Sequence, residues 1–258
     1  MNQNHHMKKK VFLVVILLAL GACKTDKKTE VLNQKGEEVV IAETDNAWID
    51  LLEGSAADGW RAYNSESLPA QWIIKNGELS FDTEKKVESD RKGGKDIIYA
   101  GEQFENFELV WEWKIPEGGN SGMLYHLQEG DWGPPEVSPE YQMLDDLKWE
   151  EINKATLEEW QKTGADYAMH IPDVSQKIIK PAMEWNSSRI IFTPDNVEHW
   201  LNGKKLLSFK PWTEDWEKRK SEGKWKDFPK YGTFKTGFIC IQDHDSPIWL
   251  RNMKIKKL

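Results

Sequence analysis

The sequence predicts an all-β protein, an antiparallel sandwich or jelly roll with short helical insertions. Large apolar residues alternate with polar residues over 107–115, which is the pattern of a half-buried strand. Asn-Gly pairs at 76–77 and 202–203 interrupt apolar runs, and this dipeptide favours the type I′ turn of a β-hairpin. Short strands joined by turn residues are typical of sandwiches, so these observations together set the fold class.

Six segments carry apolar strand patterns, and turn residues separate them; residues 140–146 are predicted as a further strand. Asn-Gly at 76–77 divides the first segment into a hairpin. Pro-Asp-Asn at 194–196 turns the third segment into the fourth, which folds back at the second Asn-Gly, giving three successive strands. The last two segments are expected to pair with each other. In chain order, the segments are residues 72–81, 107–115, 189–193, 197–209, 236–242 and 248–257.

Two polar stretches do not fit a strand pattern. Residues 148–162 combine many charged side chains with spaced apolar ones and end before Gly164. Residues 212–225 are also highly charged. Both are expected to be helical or irregular excursions from the β core.

Length and composition exclude several classes of protein. The chain has 258 residues, of which 39% are hydrophobic and 14 are Trp. This composition is too apolar and aromatic for a disordered protein. This length suits one large domain or two small ones. A formal net charge of −8 argues against nucleic acid as a partner, because a phosphate backbone requires a basic face.

The N-terminus carries the features of an export signal. Lysines at 8–10 precede an apolar run at 11–20, followed by Leu-Gly-Ala-Cys at 20–23. This motif resembles a bacterial lipobox, in which the cysteine is lipidated; the alternative is an ordinary signal peptide with an incidental Cys23. We therefore expect a signal peptide over 1–22 and a flexible tether over 23–45. A globular domain over 46–258 would then be exported and lipid-anchored in the cell envelope, in the periplasm or on the outer surface.

One predicted strand places a carboxylate beside an amide. The period of two over residues 140–146 puts Glu140, Gln142 and Leu144 on one face, opposite Tyr141, Met143 and Asp145. A carboxylate and an amide on a concave face can hold the hydroxyl groups of a sugar. An exposed outer face of a sheet is an equally good interpretation of the same pattern.

Other polar and aromatic residues are weaker candidates for a site. Trp132 lies in a polar, irregular stretch and is a candidate for the rim of a sugar site, whereas Trp111 and Trp113 are expected in the core. His244 lies between two aspartates, which suits a metal ligand or an oriented base, although turn chemistry is the simpler explanation. No zinc spacing is present, so no cofactor is required and a divalent cation stays an open alternative.

Seven short motifs stand in order along the predicted domain: 102–115, Gly-Asn-Ser-Gly at 119–122, Glu-Tyr-Gln at 140–142 with Asp145, 164–167, 184–186, 202–203 and 241–252. Together they resemble the 3-keto-disaccharide hydrolase domain of bacterial secreted proteins. The resemblance runs from about residue 48 to residue 258, essentially the whole predicted domain. It implies a concanavalin-like β-sandwich, in agreement with the strand pattern.

The resemblance also implies a chemistry. A ketone at C3 of a sugar acidifies the hydrogen on C2, so a base can remove it, the enolate expels the C1 oxygen, and water adds later. The reaction stops at elimination if water does not add. A sugar 3-oxidase acting upstream would supply the small carbohydrate substrate.

On this basis the sequence assigns roles to the candidate residues. Glu140 is expected to be the base, His126 or His244 the acid, and Arg251 or a cation the partner of the enolate oxygen. Arg251 can also be a surface arginine paired with a carboxylate. Asn120 and Gln142 are expected to hold hydroxyl groups.

Two other functions compete with this interpretation. A non-catalytic carbohydrate-binding surface lipoprotein would use the same residues without proton transfer, because a fold does not fix a function. An ordinary glycosidase acting on unoxidised sugars would need two essential carboxylates.

Overall fold

Antiparallel β-sheets pack face to face and enclose the hydrophobic core of residues 46–258. The computed structural model describes residues 28–32, 38–42, 47–54, 58–85 and 96–258. The predicted all-β sandwich of the jelly-roll type, with short helical insertions, is confirmed.

Residues 1–45 form a separate unit. Its described part is an antiparallel pair of strands, β1 Lys28–Leu32 and β2 Glu38–Ala42. Both strands lie in the segment predicted as a tether, 23–45, and that role stays a prediction. The predicted signal peptide, 1–22, and Cys23 lie outside the described residues.

The smaller sheet of the second unit is five-stranded. Its strands are β4 Trp60–Ala62, β7 Ile97–Phe104, β9 Asn120–Leu127, β10 Glu140–Leu144 and β14 Gly237–Ile241. They are arranged in the order β10–β9–β14–β7–β4, and all neighbours are antiparallel. Strands β9 and β10 therefore form one edge of this sheet.

The larger sheet is eight-stranded. Its strands are β3 Ile49–Asp50, β5 Trp72–Lys75, β6 Glu78–Phe81, β8 Phe107–Lys114, β11 Asn186–Phe192, β12 Val197–Leu201, β13 Lys204–Phe209 and β15 Ile248–Lys257. The order is β13–β12–β11–β8–β15–β6–β5, and β3 pairs with β15. The predicted pairing of the last two segments is wrong: β14 belongs to the smaller sheet and β15 to the larger, because the chain crosses between the sheets over 242–247.

The core forms between the facing sides of the two sheets. Alternate residues of β8 point inward, and Trp111 and Trp113 are buried as predicted. The rings of Trp111 and Tyr141 pack edge to face with their centres 5.0 Å apart. The indole N–H of Trp111 donates to the sulfur of Met143 at 3.3 Å. These contacts cross from the larger sheet to β10, so they fix which side of β10 faces inward.

Both Asn-Gly pairs form the hairpin turns that the sequence predicts. Asn76 and Gly77 have φ values of 54° and 73°, and Asn202 and Gly203 have values of 47° and 78°. Positive φ at both central residues is the requirement of a type I′ turn. The first turn joins β5 to β6, and the second joins β12 to β13.

Short helices interrupt the β framework. In the described part of the chain they are α1 Pro134–Val137, α2 Trp149–Asn153, α3 Glu214–Glu222 and the 3-10 turns Thr83–Lys85 and Glu159–Gln161. The stretches 148–162 and 212–225 thus contain the helical excursions that their composition predicts. No helix in this part is long and apolar enough to cross a membrane.

Candidate active site

The side of the smaller sheet that points away from the core carries Glu140, and we call it the Glu140 face. It comprises Glu140, Gln142, Gly122, Leu124 and Cys240. Glu140 lies opposite Leu124 and Gln142 opposite Gly122 in the β9–β10 register. Their neighbours along each strand point into the core, so alternation sends these residues to the other side.

The side chains of Glu140 and Gln142 are buried, so this is not an open outer face of the sheet. The Glu140 carboxylate lies over the backbone of Gly122, where a β-carbon would collide with its Oε1 atom. Gly122 therefore makes room for the acid. This close approach gives a physical reason for the glycine of the Asn-Ser-Gly motif.

Burial changes the acidity of Glu140. Loss of hydration raises its pKa to about 8, since a charged carboxylate is disfavoured away from water. The cation of Lys224 lowers this pKa, and the carboxylates of Asp96 and Asp166 raise it further. A carboxyl group with a pKa near neutrality can accept and return a proton, which is the property of a general base.

Asp96 adds a second carboxyl group to the site, and no motif in the sequence pointed to it. It precedes β7, and its Oδ1 accepts the backbone N–H of Asp243 at 2.8 Å. Burial raises the pKa of Asp96 to about 7, with a further contribution from the charge of Asp243. The Cys240 thiol lies on the strand between β7 and β9, and burial raises its pKa well above the usual value.

A cation and two aromatic rings border Glu140 on the other side. The backbone N–H of Tyr167 donates to the carbonyl of Glu140 at 3.0 Å. The Lys224 ammonium lies 4.3 Å from the centre of the Tyr167 ring and 4.8 Å from that of Trp225. Tyr167 stands in a motif that carried the family resemblance, but no pattern in the sequence pointed to Lys224.

The two predicted amide residues differ in their partners. The amide N–H of Gln142 donates to the carbonyl of Gln161 at 3.1 Å, and its oxygen accepts the N–H of Met143 at 3.2 Å. The protein itself thus holds this side chain. Asn120 opposes Leu144 on β9–β10, and its buried Oδ1 has no hydrogen-bond partner among the described residues. That oxygen can accept a hydrogen bond from a ligand hydroxyl.

Trp132 lies beside the Glu140 face, where the sequence expects a rim residue. It is partly buried and packs against the apolar cluster that includes Leu124, Val137 and Cys240. Its backbone carbonyl accepts the hydroxyl of Tyr63 at 2.7 Å. A partly exposed indole in this position can contact the apolar face of a sugar ring.

His126 lies in the core and not on the Glu140 face. Its φ of 56° breaks the alternation of β9, and its ring stands 4.3 Å from that of Phe192 of the larger sheet. The ring shares a hydrogen bond of 2.8 Å with the carbonyl of Glu105 through Nε2. Burial lowers the pKa of His126 to about 4. The structure thus separates this predicted acid from Glu140.

Arg251 also lies away from the Glu140 face. It belongs to β15 of the larger sheet, where its Nε donates to Glu112 at 2.7 Å. Its guanidinium stacks over the Trp185 ring at 4.0 Å. This is the surface pairing that the sequence left open as the alternative role.

His244 is exposed in the loop that joins β14 to β15. The preceding residue, Asp243, links this loop to Asp96. In residues 47–54, 58–85 and 96–258, no group of three or more His, Cys, Asp and Glu side chains is arranged to hold a metal ion.

Known proteins match this chain along most of its length. Residues 47–256 match the 3-keto-alpha-glucoside-1,2-lyase-like domain. A 3-keto-disaccharide hydrolase from Bacteroides thetaiotaomicron is 30% identical over 293 residues, covering 98% of this chain and 100% of the relative. The structure of a proposed glycosyl hydrolase from Parabacteroides distasonis is 39% identical with a TM-score of 0.73, covering 89% of this chain and 100% of that chain. Another from the same organism is 26% identical with a TM-score of 0.56, covering 78% and 100%.

Proposed function

Because the chain belongs to the 3-keto-alpha-glucoside-1,2-lyase-like domain family, we propose that it is a hydrolase that cleaves the glycosidic bond of 3-keto-glycosides. The observation that carries this proposal is Glu140, a buried carboxyl group whose pKa is raised to about 8. Burial and neighbouring carboxylates are the usual means by which a carboxyl group is adapted to proton transfer near neutral pH.

Glu140 removes the proton from C2 of the bound sugar. The electron pair of the C2–H bond forms a C2–C3 double bond, and the C3 carbonyl becomes an enolate. When the carbonyl re-forms, a C1–C2 double bond appears, the C1–oxygen bond breaks, and the leaving alcohol takes up a proton. Water then adds across C1 and C2, so the sum of the steps is hydrolysis without any oxidant.

Other groups near the Glu140 face supply the remaining roles. Asp96, with a pKa of about 7, donates the proton that the leaving oxygen requires. Asn120 accepts a hydroxyl hydrogen bond through its buried oxygen, and Trp132 lines the sugar site at its rim. His244 stays an alternative acid, because Asp243 ties its loop to Asp96.

Turnover of a 3-keto-disaccharide, compared with the unoxidised parent sugar, tests the proposal. We expect cleavage of the oxidised sugar alone, and loss of cleavage in Glu140→Gln, which keeps the shape of the side chain but cannot accept the proton. Mass spectrometry of the products in H₂¹⁸O separates hydrolysis from elimination. Binding of either sugar without cleavage would instead identify a carbohydrate-binding protein and overturn the catalytic roles.

We also propose that the protein is exported and lipid-anchored through Cys23, because the N-terminal pattern resembles a lipobox. The mature protein should then partition into the membrane fraction and incorporate labelled palmitate. Cys23→Ala should abolish the label. Unchanged labelling in that variant would contradict the anchor.

The proposed substrate requires a preceding reaction. An enzyme class that oxidises the C3 hydroxyl of a sugar must supply the ketone, because the C2 hydrogen of an unoxidised sugar is not acidic enough for Glu140 to remove.

A further inference from the structure

Lys224 reaches the Glu140 face although it is distant from Glu140 in sequence. Residues 164–167 run alongside β10: the N–H of Gln142 donates to the carbonyl of Ala165, and the N–H of Tyr167 donates to that of Glu140. Asp166 bridges to Tyr141, whose side chain faces the core. Tyr167 therefore points to the same side as Glu140. The Lys224 ammonium, 4.3 Å from the Tyr167 ring, is thus held over this side.

Buried contacts fix the segment that carries Lys224. The next residue, Trp225, is buried and stacks on Tyr231 with ring centres 4.3 Å apart. Its indole N–H donates to the carbonyl of Tyr167 at 3.2 Å. Upstream in α3, Arg219 donates to the carbonyl of Met169 at 3.1 Å. The segment is therefore tied on both sides of Lys224 to the chain that borders Glu140.

Two arginines, Arg251 and Arg61, are held in ion pairs with other carboxylates. Arg251 is on the larger sheet and pairs with Glu112. Arg61, on β4, donates from both terminal nitrogens to the carboxylate of Glu129, at 2.6 and 2.7 Å. Among the described residues, Lys224 is the cation whose charge lowers the pKa of Glu140.

We propose that Lys224 is a catalytic residue whose ammonium group pairs with the C3 oxygen of the bound 3-keto sugar. This inference rests on the proposed function. As Glu140 takes the C2 proton, negative charge moves to the C3 oxygen, and the ammonium stabilises it by charge and hydrogen bonding. Lys224 keeps its proton throughout, so the balance of atoms in the elimination is unchanged. The aromatic rings hold the cation in place before charge develops.

A second role for Lys224 must be separated from this one. Its charge also favours the ionised form of Glu140, so removing it would raise the pKa of the base without any contact with the substrate. The two roles differ at high pH. A variant impaired only in the ionisation of Glu140 recovers full turnover once the pH exceeds the new pKa, whereas loss of enolate stabilisation persists at every pH.

The experiment measures two rates over a range of pH. The first is cleavage of a 3-keto-disaccharide, and the second is exchange of the C2 hydrogen with D₂O in 3-keto-1,5-anhydroglucitol. The latter sugar carries hydrogen in place of the C1 leaving oxygen, so its exchange reports enolate formation alone. The proteins compared are the wild type, Lys224→Met, Lys224→Arg, Glu140→Gln and the matched control Lys226→Met. Lys226 is exposed and lies two residues away.

We expect Lys224→Met to lower kcat and the exchange rate by roughly 10²-fold at the high-pH plateau. KM should change little, Lys224→Arg should restore part of both rates, and Lys226→Met should match the wild type. Full recovery of Lys224→Met at high pH would overturn the inference while leaving the proposed function intact. A wild-type protein that neither exchanges the C2 hydrogen nor cleaves the sugar would overturn both.

Discussion

At the scale of single residues, the pKa of Glu140 depends on what surrounds its carboxyl group. Gly122 leaves room for the carboxylate above the sheet, and burial raises the pKa of the acid to about 8. Lys224 opposes this rise with its positive charge. A carboxyl group with a pKa near neutrality thus follows from one absent side chain, one buried position and one nearby cation.

A β-carbon at Gly122 should displace the base. We expect Gly122→Ala to lower kcat by about 10²-fold, because a shift of about 1 Å in a reacting group has effects of this size. Steady-state kinetics on the 3-keto-disaccharide measure the change. Gly130→Ala is the control, since no described atom lies within 4 Å of a β-carbon at that position. Equal activity of the two variants would mean that the carboxylate does not act from its place over Gly122.

Glu140 also gives the free energy of unfolding a pH dependence of known sign. The folded protein holds the Glu140 proton more tightly than the unfolded chain, with a pKa of about 8 against 4.5. This stabilisation is full below the lower pKa and is lost as pH rises through the higher one. We therefore expect the free energy of unfolding of the wild type to fall by about 4 kcal/mol, relative to that of Glu140→Gln, as the pH rises from the lower pKa to the higher one.

Urea unfolding of both proteins from about pH 5 to about pH 9 measures this difference. His126 and His199, whose pKa values burial lowers to about 4, act with the opposite sign below pH 6.5. They are present in both proteins and cancel in the comparison. A difference that does not vary with pH would show that Glu140 ionises as it does in the unfolded chain.

At the scale of the elements, β9 carries two different environments along its length. Its first part alternates regularly and presents Gly122 to Glu140 on β10. Near the end of β9, the left-handed backbone conformation of His126 turns its side chain to the side of the sheet opposite to the one that alternation predicts. Strand β14 shifts register opposite this part of β9, between Phe238 and Cys240. An irregularity of this kind re-aims a side chain, so period alone misplaces the histidine.

His126 should therefore matter for stability and not for chemistry. We expect His126→Ala to lower the free energy of unfolding by about 2–4 kcal/mol, because it leaves a cavity among aromatic rings and the Glu105 carbonyl without its partner. The kcat of the folded protein should remain close to that of the wild type. His244→Ala, at an exposed position, should change stability by less than about 0.5 kcal/mol. Loss of kcat at unchanged stability would return His126 to the mechanism.

At the scale of the whole molecule, the sandwich has two outward sides with different characters. The smaller sheet carries buried titratable groups on the Glu140 face. The outer side of the larger sheet carries ion pairs, such as Arg189 with Glu108 and Arg251 with Glu112. The hydrophobic core separates the two sides. A residue on the ion-paired side cannot reach a sugar bound at Glu140.

Arg251→Ala tests this separation of the two sides. We expect turnover close to that of the wild type and a loss of stability below about 1 kcal/mol, since partly exposed ion pairs contribute little. Glu112→Ala, which removes the other member of the pair, should behave in the same way. A large fall in kcat for Arg251→Ala alone would mean that the substrate binds on the larger sheet, which would contradict our proposal.

The sequence by itself determined the features that depend on local period and turn chemistry. The alternation of apolar and polar residues determined which side chains of β8 face the core. The same period placed Glu140 and Gln142 on one side of β10. Asn-Gly pairs located two hairpins through their requirement for positive φ. The order of short motifs along the chain indicated the family.

Only the tertiary structure decided which distant groups meet at Glu140. Asp96 lies near Glu140 because β7 pairs with β14. Lys224 lies near it because Trp225 is buried against the segment beside β10. Arg251 lies away from Glu140 because the chain passes from the smaller sheet to the larger sheet after β14. Period and turn residues act over a few positions, whereas these contacts depend on how segments far apart in sequence bury their apolar side chains against one another. That burial, which no local pattern encodes, determines the charges around Glu140.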